Sequence, residues 1–175
     1  YDAVSFTGYH SDALSEGNPL SHTMTTSVQR VMLNGERASE FTLNAYMAGY
    51  LGIPVVFLSG DEALCRAAER MVPGIRTVAS KTGMGSAVLS RHPLVVCDDI
   101  KQTMHNALES LKDPAVREAC TVKMPAHFEL AVEYKDWNTA HKYSFYPGAS
   151  YPDAKTVVYA SDDYYEVMRF MHFCL

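Results

Sequence analysis

Ile53-Pro54-Val55-Val56-Phe57-Leu58-Ser59-Gly60-Asp61 is the stretch whose reading decides the fold. Ile53 to Leu58 is an unbroken apolar run with its one proline near the start, which reads as a strand buried on both faces. Ser59-Gly60-Asp61 then turns the chain into a helix expected from Asp61 to Val72. Asp61 suits the N-cap, and Glu62 suits the first turn, where the positive end of the helix dipole favours a carboxylate. Pro73-Gly74 stops that helix, and Ile75 to Ala79 reads as the next strand. Upstream, Ala3 to Thr7 is another short apolar run of strand formers, expected to end at Gly8. Alternating strands and helices of this kind predict an α/β fold, a layered sheet flanked by helices with right-handed connections.

The second half of the chain has a different pattern. Leu94 to Leu111 predicts a helix, with Ile100, Met104, Leu108 and Leu111 at core spacing and His105 on the surface. Lys112-Asp113-Pro114 breaks it, and Val116 to Cys120 fits neither period. Phe128, Leu130, Val132 and Tyr134 alternate with more polar residues, as in a half-buried antiparallel strand. Asp136 to Tyr143 reads as a short helix, Pro147-Gly148 as a turn, Thr156 to Tyr159 as a last strand, and Asp162 as the cap of a final helix. The C-terminal portion is therefore expected to be antiparallel. With no repeat, low-complexity tract or linker, residues 1–175 are expected to form a single α/β domain.

Composition narrows the function classes. The chain is 47% apolar and 20% charged, which argues for a packed globular protein rather than a disordered one. A net charge of -5 with no basic block argues against a nucleic-acid partner. No apolar run approaches the roughly 18 residues of a membrane span. Cys65, Cys97, Cys120 and Cys174 lack metal-ligand or redox spacing, so reduced thiols in a cytoplasmic protein are expected. Tyr1 is neither an initiator methionine nor the start of a signal-peptide pattern, so a fragment or a processed product is expected.

The residues suited to chemistry gather between Gly8 and Tyr50. If the first strand ends at Gly8, His10 lies in the loop at its carboxyl end, where open α/β sheets bind ligands. His22 follows a polar loop. Met24 to Leu33 carries strand formers, and Asn34-Gly35 after it is a strong hairpin signal. Ser39 suits the N-cap of a helix running to about Leu51, which puts Glu40 in the first turn as an ionised carboxylate. Two imidazoles and a carboxylate are donors that zinc accepts, although the spacing matches no standard zinc signature. Asn44 on that helix, and Lys81 in the expected loop Ser80-Lys81-Thr82-Gly83-Met84-Gly85-Ser86, are candidates for holding substrate or an oxyanion. The same glycine-containing loop suggests a phosphate cradle, but it lacks the Walker spacing.

Gly8-Tyr9-His10, Leu20-Ser21-His22-Thr23-Met24, Ser39-Glu40 and Leu43-Asn44-Ala45-Tyr46-x-Ala48-Gly49-Tyr50 together resemble the M55 metallopeptidases, the D-aminopeptidase family. Pro54 to Asp61, Lys81-Thr82 and Phe145-Tyr146-Pro147-Gly148 follow in matching order. The resemblance runs over nearly the whole chain and covers the later two-thirds of the family's fold. It implies a dinuclear zinc aminopeptidase acting on short peptides with D-amino-acid N-termini, such as D-Ala-D-Ala, in a cytoplasmic, ring-like homo-oligomer. It implies that His10 and Glu40 are metal ligands and that His22 is the catalytic histidine, as nucleophile or acid/base. The family's Asp-x-Glu-Gly strand and its Asp-Ser-His segment, which donate further zinc ligands, do not occur in this sequence. Those ligands are expected from a missing N-terminal segment or another chain. The alternatives are a non-catalytic structural or binding subunit of the same fold and, less favoured, a nucleotide-binding module using Lys81 to Ser86.

Overall fold

A computed structural model describes residues 1–175, which divide into two compact units. The first comprises residues 1–11, 15–21 and 44–124, and the second residues 12–14, 22–43 and 125–175.

The first unit is built on a four-stranded sheet. It contains β1 (Val4–Tyr9), β4 (Val55–Asp61), β5 (Arg76–Met84) and β6 (Ala87–Ser90), side by side in that order. The first three are parallel, and β6 returns antiparallel along β5. Every residue of β4 is buried, as an unbroken apolar run in a central parallel strand requires. Helices α2 (Glu62–Met71) and α3 (Pro93–Ser110) pack on β4 and β5. Asp61 caps α2 by accepting a hydrogen bond from the Leu64 N–H at 2.9 Å. Val56, Phe57, Val78, Val96, Ala107, Leu111 and Cys120 form one core cluster, with Ile100 and Met104 packed against it. Leu108 was expected in this core, but it is about half exposed, and Val96 and Ala107 supply the buried contacts of α3 instead. The stretch that fits neither period forms a short helix, α4 (Pro114–Ala119), capped by Asp113.

The second unit carries an all-antiparallel sheet in the order β3 (Glu36–Arg37), β2 (Val28–Leu33), β7 (Phe128–Tyr134), β9 (Thr156–Ser161), β8 (Ser150–Asp153). The Asn34-Gly35 hairpin forms as its sequence dictates, with φ of 51° and 81° at its two corners and Leu33 paired with Glu36. The strand expected from Met24 starts only at Val28, because Thr23 to Ser27 is tied into a local turn. Helix α5 (Trp137–Tyr143) and helix α6 (Tyr164–Cys174) pack on β7 and β9. Buried phenols lock the assembly: Tyr134 donates to the Cys174 carbonyl at 2.6 Å and Tyr164 to the Leu43 carbonyl at 2.7 Å. The cap of α6 is Asp163, one residue beyond the expected Asp162, and Asp162 instead pairs with His127 at 2.6 Å. Strand β8 carries no hydrophobic alternation and was not legible in the sequence.

Strand β1 runs on to Tyr9 rather than ending at Gly8. Gly8 holds φ +75°, and pairing with β4 jumps register between Phe6 and Tyr9, so the glycine makes a bulge inside the strand. At the far end of the pair the two backbones close up. A Cβ on Gly60 would lie 2.6 Å from the Tyr9 carbonyl oxygen. Gly60→Ala is therefore expected to cost about 1–3 kcal/mol, the usual penalty of overpacking against backbone. A urea titration checks this; an unchanged midpoint would show that β1 yields freely at Tyr9.

Candidate functional site

In the second unit the structure brings His22 and Glu40 together. Helix α1 (Glu40–Tyr50) starts as the sequence predicts, with the Ser39 hydroxyl accepting from the Thr42 N–H at 3.1 Å. Glu40 thus sits in the first turn, half-buried, with Oε1 3.7 Å from His22 Nε2. The same oxygen accepts the Met24 N–H at 2.9 Å. Met24 has φ +63°, a left-handed conformation that a non-glycine residue adopts at some energetic cost. Thr23, between His22 and Met24, is fully buried. Its hydroxyl donates to the Ala38 carbonyl at 3.1 Å and accepts the Ala13 N–H at 3.1 Å. The His22 loop is thereby tied to the residues that lead into Glu40. Sequence reasoning missed Thr23, whose partner Ala38 is too distant in sequence to leave a local signal.

The pair suits a zinc site chemically. Glu40 offers a carboxylate oxygen, which zinc accepts as a ligand, and His22 stands beside it as an imidazole able to move a proton. An imidazole and a carboxylate in this arrangement can flank a cation or share a proton.

In the first unit the predicted residues collect at the carboxyl ends of the parallel strands. His10 directly follows β1, half-buried, with Nδ1 3.0 Å from the Ser11 carbonyl oxygen. Ser11 is anchored to Asp61, the last residue of β4. Its N–H donates to Asp61 Oδ2 at 2.7 Å, and its hydroxyl makes a short hydrogen bond to Oδ1. With the Leu64 N–H, the wholly buried Asp61 carboxylate accepts three donors. The sequence marks Asp61 only as a helix cap; its second role as the anchor of the His10 loop comes from the β1–β4 pairing. Asn44 donates to the Tyr9 hydroxyl at 3.3 Å, one residue before His10.

Lys81 is not in a loop. Strand β5 continues through it, with Asp61 on one side and Ser90 on the other. The segment expected to be a glycine-containing loop is instead a regular hairpin, because β6 supplies hydrogen-bond partners for Lys81 to Met84. A strand in register cannot wrap its N–H groups around a phosphate as a Walker loop does. The half-buried Lys81 still lies at the end of the sheet that bears His10. Burial pushes the Cys65 and Cys174 thiols up to about 11, which disfavours either as a thiolate nucleophile.

A carboxylate in the first turn of a helix beside an imidazole, carried on a mixed α/β chain, is donor chemistry that zinc hydrolases use. The family model for peptidase M55, described as D-aminopeptidase, matches residues 1–173, and the chain belongs to that family. It is 29% identical over 154 residues to the D-aminopeptidase of Bacillus subtilis (strain 168), which covers 87% of this chain and 54% of the relative. Among solved structures it is similar to the Zn-dependent D-aminopeptidase DppA from Bacillus subtilis, described as a self-compartmentalizing protease. There the TM-score is 0.86 and the identity 26%, over 99% of this chain and 62% of the other. The chain thus spans about half the length of the curated relative it matches.

Proposed function

We propose that this chain carries the catalytic histidine and part of the metal site of a zinc-dependent aminopeptidase for short peptides with D-amino-acid N-termini, of the D-Ala-D-Ala type. The reading assigns His10 and Glu40 as metal ligands, His22 as the catalytic residue, and Asn44 and Lys81 as groups that hold substrate or the oxyanion. It expects two zinc ions in the complete site, further ligands from an N-terminal segment or another chain, a homo-oligomer, and a cytoplasmic setting. No helix is long and apolar enough to cross a membrane.

The observation that carries the reading is the His22–Glu40 pair, held by Thr23 and Met24 in a chain of the M55 family. Zinc, when bound, supplies Lewis acidity toward the scissile carbonyl and activates water. The chain's own groups do the rest. His22 moves a proton to the leaving amine or attacks the carbonyl. Glu40 offers a carboxylate oxygen to the cation from the first turn of α1, held in place by the Met24 N–H. Lys81 supplies a positive charge for the oxygen on which negative charge develops.

Glu40→Gln tests the assignment directly. It keeps the size of the side chain, removes the charge, and is expected to lower zinc content in the purified complete protein by tenfold or more. Mass spectrometry of bound metal reads this out, and an unchanged stoichiometry would remove Glu40 from the ligand set. The second reading is a non-catalytic structural or binding subunit of the same fold. Zinc absent under every condition, partner included, would decide for it.

A further inference from the structure

Backbone strain in the second unit is gathered on either side of one buried hydroxyl. Asn34, at φ 51°, is a corner of the β2–β3 hairpin. The other non-glycine residues with a positive φ are Leu14 at 68° and Met24 at 63°. Met24 is the centre of a γ-turn, closed by the Thr25 N–H donating to the Thr23 carbonyl at 2.7 Å. With a positive φ at its centre, this is the rare and strained form of that turn. Strained backbone persists only where its surroundings over-determine it, and it collects at functional sites. Here the turn directly follows His22 and aims the Met24 N–H at Glu40 Oε1.

Thr23 supplies the constraint. A hydroxyl has one proton to give and lone pairs to accept with, and the buried Thr23 hydroxyl uses both, on the Ala38 carbonyl and the Ala13 N–H. Each partner is fixed by other atoms. The Ala38 N–H donates to the Val31 carbonyl of β2 at 3.0 Å. Ala13 is flanked by two contacts to Arg37: Asp12 Oδ2 lies 3.1 Å from Nε, and the Leu14 carbonyl accepts from Nη1 at 3.3 Å. The strained Leu14 and the strained Met24 thus each directly follow a residue joined through this one hydroxyl. Glu40 has a support of its own in the Ser39 cap that opens α1.

We propose that Thr23 is a positioning residue for the peptidase reaction, its hydroxyl holding the strained turn that sets His22 against Glu40. The proposal rests on the reading of His22 as the catalytic residue. Thr23→Val keeps the shape of the side chain and removes both hydrogen bonds. Misplacing a reacting group by about 1 Å can cost ~10²-fold in rate, so kcat is expected to fall by about 10–100-fold. KM should stay within about threefold, because the loss falls on a group that acts in the transition state. Zinc content should match the parent, since α1 still holds Glu40. Thr23→Ser keeps the hydroxyl and is expected to hold kcat within about threefold of the parent.

The test is steady-state kinetics on the complete protein, with the double variant His22→Ala/Thr23→Val included. If Thr23 acts through His22, the double variant should be no slower than His22→Ala alone. Losses that multiply would mean that Thr23 only supports the fold, and would overturn the proposal. Thr23→Ala guards against a valine variant that does not fold. It leaves room for a water that satisfies Ala13 and Ala38 without tying them to the His22 loop, and the same fall in kcat is expected. Hydrogen exchange on the zinc-free protein reads the turn without catalysis. The Met24 amide should exchange about tenfold faster or more in Thr23→Val and Thr23→Ala, and at the parent rate in Thr23→Ser. Unchanged exchange in all three would overturn the proposal. Turnover lost in His22→Ala but kept in Thr23→Val would sink the proposal alone, whereas turnover kept in both would sink the catalytic reading.

Discussion

Replacing His22 with alanine in the complete protein is expected to lower D-Ala-D-Ala turnover by about 10²–10⁴-fold, the range that a positioned general acid–base group contributes. The fold should survive, because the His22 ring is half-buried and the loop beneath it is held by other atoms. The Thr23 hydroxyl keeps its bonds to Ala38 and Ala13, and the Met24 N–H keeps Glu40. If His22 moves protons, the loss should fall on kcat more than on KM. Steady-state kinetics together with an unfolding curve check both points. Turnover within twofold of the parent would take His22 out of the mechanism and leave the imidazole as a structural neighbour of Glu40.

Asp61→Ala is expected to have the largest effect on stability. The carboxylate is wholly buried and satisfies the Ser11 N–H, the Ser11 hydroxyl and the Leu64 N–H. Its removal strands three buried donors and uncaps α2. A buried donor left without a partner costs about 1–3 kcal/mol. The sum is expected to reach about 3 kcal/mol or more, a large part of the ~5–15 kcal/mol that stabilises a typical domain. Asp61→Asn keeps one acceptor oxygen for the cap and should recover part of the loss. Chemical denaturation measures both variants, and a cost below about 1 kcal/mol for the alanine would mean that water replaces the carboxylate. Because Ser11 also holds the His10 loop, Asp61→Ala should reduce zinc affinity even where the protein remains folded.

Much of the architecture was legible before any coordinates. The apolar run through Leu58, the Asp61 and Ser39 caps, the Asn34-Gly35 hairpin and the alternation from Phe128 to Tyr134 all stand in the structure. Each is a local signal, written in periodicity or in a side chain that bonds its own neighbourhood. The candidate donors were legible for the same reason: His10 follows a strand and Glu40 opens a helix. Signals that depend on distant partners were misread. Gly8 looked like a stop and is a bulge, since the pairing of β1 with β4 continues to Tyr9. Lys81 looked like part of a phosphate loop and is a strand residue, since β6 pairs with it.

By itself the sequence determined which residue types were available for chemistry, where helices and strands begin, and the family to which the chain belongs. Only the tertiary structure decided that Thr23 ties the His22 loop to Ala38, that Glu40 faces His22, and that Asp61 holds Ser11 beside His10. The physical reason is the range of the interactions. Caps and turns are settled within a few residues, whereas a buried hydroxyl or carboxylate takes its partner from whichever segment the packed core brings within about 3 Å.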